Sequence, residues 1–410
     1  MAVQPAKADL LSATLLYNQQ EYKKAYAEFY RLAKLGNKDA LFNLGVMALH
    51  GQGMKKNLAK AYAWFKVAGD FGLVDAEQAA QLIAQQEEAQ IKQLQVAYQN
   101  TLNIVSYDKF KARLQPVFDS QQFSALNTKP PTRIFTVDPK YPKEAYEKGI
   151  EGWVWLEFDV DAKGTVKDVD IIDAFPDKTF NRAIINAVKR WRYEPYTVDG
   201  KSQPYHNRSL LYHFTTFKGE RYQASFARQK KEYQKKINQL IEGAEQGNAL
   251  VQYYIANWLN ADEHNATKLL RTHWQDEHAG SELLLKSAKN GYANSQYRLG
   301  ANLLRGEYTL ADREKGLNWI LHAAQSGFSF AQYRLARELL DEKHVEYDVQ
   351  KAERWMKEAA QQGHFRAIRD LVLLMYQQQA FEEANHYLQL GLKIDDEHPE
   401  LLKFQSMLKP

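Results

Sequence analysis

Three histidines, His264, His273 and His278, stand among Asp262, Glu263, Asp276 and Glu277, all residue types that can ligate a metal. Their spacings of nine and five match no common ligand pattern, so a solvated loop is the better reading. Asp159, Asp161, Gly164 and Asp170 partly imitate a calcium loop. A cation, Lys163, sits where a ligand oxygen should be, and the flanks alternate like strands, so these residues read as a hairpin turn. The chain has no cysteine, which removes disulfides, thiolate metal sites and cysteine nucleophiles together. No Gly-x-Ser-x-Gly, His-Glu-x-x-His, phosphate loop or Gly-x-Gly-x-x-Gly after a strand occurs. The expectation is a non-enzyme with no cofactor and no metal.

Basic residues give no stronger signal. The run Lys189-Arg190-Trp191-Arg192-Tyr193 resembles a nucleic-acid stripe, but helical spacing before it makes Trp191 and Tyr193 core. Its cations then offset a helix C-terminus. Lys230, Lys231, Lys235 and Lys236, with Glu232, read as a solvated helix face. Net charge is +4, and residues 1–129 hold that excess with 15 basic and 11 acidic side chains. That density is too low for a nucleic-acid partner.

The elements that would position these residues come next. At 410 residues, with 45% hydrophobic and 25% charged, the chain suits two or three globular domains. The longest apolar run, Leu371 to Tyr376, is far short of the roughly 18 residues of a membrane span. Met1-Ala2-Val3-Gln4-Pro5-Ala6-Lys7 lacks the pattern of an export signal, so an exported protein would have lost its signal or anchor already.

Internal repetition is pronounced. Gly291, Gly327 and Gly363 are 36 apart, and Trp319 and Trp355 each lie eight residues before a glycine. Trp64 precedes Gly72 by the same eight, and Gly36 lies 36 before that. Lys24-Ala25-Tyr26-Ala27 recurs as Lys60-Ala61-Tyr62-Ala63. The pattern predicts stacked antiparallel helix pairs, small residues at the crossings and each closing glycine left-handed. About two units fit in residues 8–72 and four in 247–391. The interval from Gly247 to Gly291 is 44, an insertion of eight near Asp262–Glu277. Ala293…Tyr297-Arg298-Leu299-Gly300…Gly306…Lys315-Gly316-Leu317-Asn318-Trp319…Ala323-Ala324…Gly327 resembles a Sel-like repeat, a relative of the tetratricopeptide repeat. That resemblance implies protein–protein scaffolding and no chemistry.

The middle differs. Lys129-Pro130-Pro131 breaks any helix. Val154, Leu156, Phe158 and Val160 then alternate with Trp153, Trp155, Glu157 and Asp159, which predicts a strand. A turn at Asp161–Gly164, a returning strand over 166–172, a helix around Phe180–Val188 and a last strand over Ser209–Phe217 complete a ββαβ unit. Trp153 and Trp155 lie opposite the core face, where two bare tryptophans would form a patch that monomers rarely expose. They are expected to meet a helical array or a partner.

Tyr141-Pro142, Gly152, Phe158-Asp159-Val160, Gly164 and above all Lys189-Arg190-Trp191-Arg192-Tyr193-Glu194-Pro195 resemble the C-terminal domain of the TonB family of energy transducers, over roughly residues 135–217. The resemblance implies a periplasmic domain that adds its last strand to an extended peptide from an outer-membrane receptor. Ser209, Leu210, Leu211, Tyr212, His213 and Phe214 are then the partner-binding edge. Tyr141, Pro142, Trp191, Tyr193 and Pro195 carry the family motif. Two departures stand out: an insertion over Tyr196–Asn207, and no inner-membrane anchor or proline-rich spacer, so the resemblance covers binding and not the power stroke.

The expected architecture is mainly α and multidomain: a helical solenoid over 1–128, the ββαβ domain over 129–218 and a second solenoid over 219–410. The expected function is a periplasmic adaptor in TonB-dependent transport, with an outer-membrane receptor or the inner-membrane energising complex as partner and a homodimer left open. The alternative is a cell-envelope scaffold whose ββαβ domain serves self-association or packing.

Overall fold

The structure is a computed structural model and describes residues 9–117, 130–198, 200–215, 234–261, 264–306, 309–341 and 345–408. Lys129, Asp199, Phe217, Lys230, Lys231, Glu232, Asp262 and Glu263 lie outside them. The fold is helical repeats on both sides of a small strand-rich domain. Division by sequence pattern and by packing differ, however. The chain forms two compact units, one of residues 1–123 with 291–410 and one of residues 124–290.

Among the described residues, the elements of the first unit are helices. From the N-terminal segment come α1 (Leu10–Asn18), α2 (Tyr22–Lys34), α3 (Lys38–His50), α4 (Leu58–Asp70), α5 (Val74–Gln86), α6 (Ile91–Ile104) and α7 (Tyr107–Arg113). From the C-terminal segment come α14 (Ala293–Arg305), α15 (Arg313–Gln325), α16 (Ser329–Asp341), α17 (Val349–Gln361), α18 (Phe365–Gln377), α19 (Phe381–Ile394) and α20 (Pro399–Met407). The repeated tetrapeptides lie in α2 and α4, where Ala25, Phe29, Ala61 and Phe65 are buried at i, i+4 spacing. Small residues let backbones touch: a Cβ on Gly300 would lie 2.7 Å from the Gly316 carbonyl oxygen, so α14 and α15 cross at two glycines. Gly36, Gly72, Gly291, Gly327 and Gly363 all have positive φ, the left-handed closure that the period predicts. Asp312 and Asp348, 36 apart, cap α15 and α17.

The two segments of this unit share hydrogen bonds. Leu10 N donates to Ser326 O at 3.0 Å, and Asn37 Nδ2 to Ser326 Oγ at 3.2 Å. Gln325 Nε2 donates to Gly36 O at 3.3 Å, and Trp355 Nε1 to Leu114 O at 2.8 Å. Residues read along the chain as separate stacks therefore close into one body.

The second unit holds β1 (Arg133–Phe135), α8 (Lys143–Glu147), β2 (Gly152–Val160), β3 (Val166–Phe175), α9 (Asn181–Val188), β4 (Arg192–Tyr193), β5 (Tyr196–Val198), β6 (Lys201–Gln203) and β7 (Tyr205–Phe214). Helix α10 (residues 234–245), α11 (Ala249–Trp258), α12 (Asn265–Leu270) and α13 (Ala279–Lys289) follow. The main sheet is antiparallel in the order β3-β2-β7. Val154, Leu156, Phe158 and Val160 face a core with Phe180, Ile184, Val188, Trp191 and Tyr193. The last strand begins at Tyr205, four residues earlier than its apolar pattern suggests, because a bulge absorbs the polar stretch His206–Asn207.

Candidate functional site

The sheet of the second unit is built around β2. Its outward and inward residues alternate, so the register with β7 sorts the six predicted edge residues onto two faces. Val154 pairs with Tyr212, Leu156 with Leu210 and Gly152 with Phe214 on the core side. Trp153 pairs with His213, Trp155 with Leu211 and Glu157 with Ser209 on the other. None of the six therefore presents its side chain to the sheet edge. Along Arg208–Tyr212 the edge consists of main chain.

The outer side of β7 is the edge of the three-stranded sheet. Among the described residues β7 pairs with β2 alone, so no strand lies along its outer side. The insertion at 196–203 does not occupy it, because β5 and β6 pair with each other, Tyr196 opposite Gln203 and Val198 opposite Lys201. The Tyr196 ring meets Tyr205 edge-on at 5.1 Å, which ties the hairpin to the start of β7. Asn207 adopts φ 55°, and the buried Asp159 carboxylate accepts its backbone N–H at 2.8 Å and bonds His206 Nδ1 at 2.8 Å. The register of β7 against β2 shifts at this bulge.

The motif residues hold the sheet. Trp191 Nε1 donates to Val137 O at 2.9 Å, with the Arg133 guanidinium 4.5 Å above its ring. Tyr141 donates to Ile150 O at 2.5 Å. Pro142 stands at the N-cap of α8. Gly164 is required: its φ is +82°, and a Cβ would lie 1.9 Å from the Tyr193 carbonyl oxygen. Pro195 follows β4, whose Tyr193 donates its N–H to Gly164 O at 2.9 Å. Burial raises the phenol pKa of Tyr193, Tyr212 and Tyr254, keeping all three protonated.

The sheet face opposite the core is covered. Trp153 is 0% and Trp155 1% exposed. Tyr253 and Tyr254 of α11 meet the Trp153 ring at 5.8 and 6.0 Å, and Trp258 meets Phe175 at 5.4 Å. Polar contacts close the cover near β7. His213 Nδ1 lies 2.8 Å from His264 Nε2, and Trp155 Nε1 donates to Ser209 Oγ at 2.8 Å. Glu151 accepts from Asn265 N at 3.0 Å and lies 3.7 Å from His264 Nδ1. His264 is thus part of the cover, whereas His273 and His278 pair separately with Glu245 and Glu277. Among the described residues no cluster suited to a metal occurs.

Sequence reasoning missed that the covering helix comes from the first C-terminal repeat. Tyr253-Tyr254 and Trp258 carried the signal: two more aromatics than the neighbouring repeats place there.

Residues 137–215 match the family described as Gram-negative bacterial TonB protein C-terminal, and residues 38–70, 293–328 and 329–364 each match the Sel1 repeat. Residues 137–215 are a TonB C-terminal domain, flanked by Sel1 repeats. Protein TonB of Escherichia coli (strain K12) is 43% identical over 65 residues, 16% of this chain and 27% of that protein. Protein TonB of Pseudomonas aeruginosa is 35% identical over 63 residues, 15% of this chain and 18% of that one. The chain therefore spans only about a quarter or less of the length of these relatives. Among solved structures, the Pseudomonas aeruginosa TonB C-terminal domain aligns at 28% identity over 22% of this chain and 90% of that one, with a TM-score of 0.20. A Sel1 repeat protein from Oxalobacter formigenes aligns at 26% identity over 33% of this chain and 96% of that one, with a TM-score of 0.30. No helix among the described residues is long and apolar enough to cross a membrane.

Proposed function

We propose that the chain is a non-enzymatic periplasmic adaptor in TonB-dependent transport, whose TonB-type domain takes an extended peptide along β7 while its repeats hold a second protein. The observation that supports this is that, among the described residues, β7 pairs with β2 alone, which leaves its outer side over Arg208–Tyr212 without a strand in a domain of this family. Main-chain N–H and C=O groups there supply affinity without any particular side chain. The receptor of the outer membrane is the first partner to test, and the inner-membrane energising complex the second.

A scaffold reading, in which the TonB-type domain serves packing, draws on the buried Trp153/Trp155 face. The two readings use different parts of the sheet, face against edge. Proline at Tyr212 is a poor test, since that ring packs into the core. Backbone N-methylation of the ligand is cleaner. Periplasm-facing receptor peptides, methylated at alternate amides, are titrated against the full chain by fluorescence anisotropy. Strand addition predicts that one methylated set loses binding and the complementary set keeps it. Equal binding of both sets, or of no peptide at all, would leave only the scaffold.

A further inference from the structure

A surface of the helical unit remains without a role. Helices α2, α4 and α6 border a hollow of about 500 Å³ whose walls include Tyr26, Tyr30, Trp64, Val96 and Ile104. Val96 is 60% and Ile104 46% exposed, apolar area that no core contact uses. The amides of Asn57, Gln93 and Asn100 and the Lys60 side chain interrupt this wall.

At Ile104 the hollow adjoins a second one of about 130 Å³, where Lys34, Lys109, Arg113 and Arg354 gather. Lys34 Nζ stands 4.7 Å from the Tyr30 ring centre and joins the two. Three of these cations have neutral partners, and Lys34 also acts electrostatically on Glu358. Lys109 donates to the Leu102 and Asn103 carbonyls at the end of α6, and Arg354 to the Arg113 carbonyl at 3.1 Å. Among the described residues none of the four is in an ion pair. Glu358 is the single carboxylate in the lining, and Arg31 lies 3.5 Å from it. Four cations against one carboxylate leave a net +3 at one end of an aromatic groove.

We propose that this groove binds an extended peptide segment of a partner protein, an apolar or aromatic residue in the larger hollow and an adjoining acidic stretch at the Lys34/Arg113 end. It specifies the repeat half of the reading above and rests on that reading only in taking the repeats as a protein-binding surface. Apolar burial supplies affinity in the first hollow, and the cations select sign and direction at the second. A nucleic acid is the poorer fit, because its phosphates call for cations along the whole track, whereas the larger hollow offers Lys60 alone and four cations gather at the other end.

The test uses the full chain and fluorescein-labelled peptides of sequence Leu-Phe-Asp-Glu-Asp and its reverse, with Asn/Gln and Lys replacements of the acids as controls. One order of the acidic peptide should bind, and its Asn/Gln version should bind at least about tenfold more weakly. The double variant K34E/R113E, at exposed positions, should lose at least about tenfold for the acidic peptide. Binding of receptor peptides at β7 should be unchanged in that variant, so failure here and failure at the strand edge are separable. Indifference to the charge reversal, equal binding of the Lys peptide, or an oligothymidine that binds in place of every peptide would overturn the proposal.

Discussion

Single residues carry the sheet domain's geometry, and their substitution has calculable consequences. Gly164→Ala places a side chain into the Tyr193 carbonyl at a left-handed position, so the second unit should lose about 2–4 kcal/mol, read by urea denaturation. Trp153→Ala removes a fully buried ring between β2 and α11 and should cost about 3–5 kcal/mol by the same measurement. In the helical unit, His364 Nδ1 accepts the Ala367 N–H at the start of α18. Burial holds its pKa well below the ordinary histidine range, with Arg366 and Arg369 adding in the same direction. The unfolded chain therefore takes up a proton near pH 6.5 that the folded one refuses, and stability is present above that pH and lost below it. Asn37 and Asn248 occupy the matching cap in other repeats, so His364→Asn keeps the cap while removing the titration. Wild type should lose more stability than H364N between pH 7.5 and 5; parallel curves would contradict this account.

At the scale of elements, much was legible and the exceptions are informative. The 36-residue period gave the helix pairs and their left-handed glycines, because each repeat solves the same local packing problem. Alternation gave β2 and its two faces. The start of β7 was not legible, since a bulge at His206–Asn207 breaks the alternation that marks a strand. The hairpin of Tyr196–Val198 and Lys201–Gln203 inside the Tyr196–Asn207 insertion was not legible, because its three-residue strands are shorter than any periodic signal. The covering of Trp153 and Trp155 by α11 depends on contacts about 100 residues apart, which no local pattern encodes. Two rings of this size bury roughly 300–500 Å², or on the order of 10 kcal/mol as an upper bound. A fragment of residues 130–217 should therefore expose that face and bind an apolar dye, whereas residues 130–290 should not. Equal dye binding by both fragments would show that the cover contributes nothing.

Two proposed binding surfaces share one chain: a main-chain edge on β7 and the aromatic, basic groove of α2, α4 and α6. The groove depends on both ends of the chain, because Arg354 and Glu358 of α17 complete its basic hollow. Deleting residues 1–117 removes the acceptors of the Gln325 and Trp355 side chains, so the remaining repeats should melt at a lower temperature by calorimetry. The most direct test of the central claim is amide hydrogen exchange across residues 205–214, with and without a receptor peptide at saturation. Strand addition predicts slowed exchange at alternate amides along Arg208–Tyr212, with β3 unchanged. Bound peptide with exchange in β7 unaltered would contradict the account.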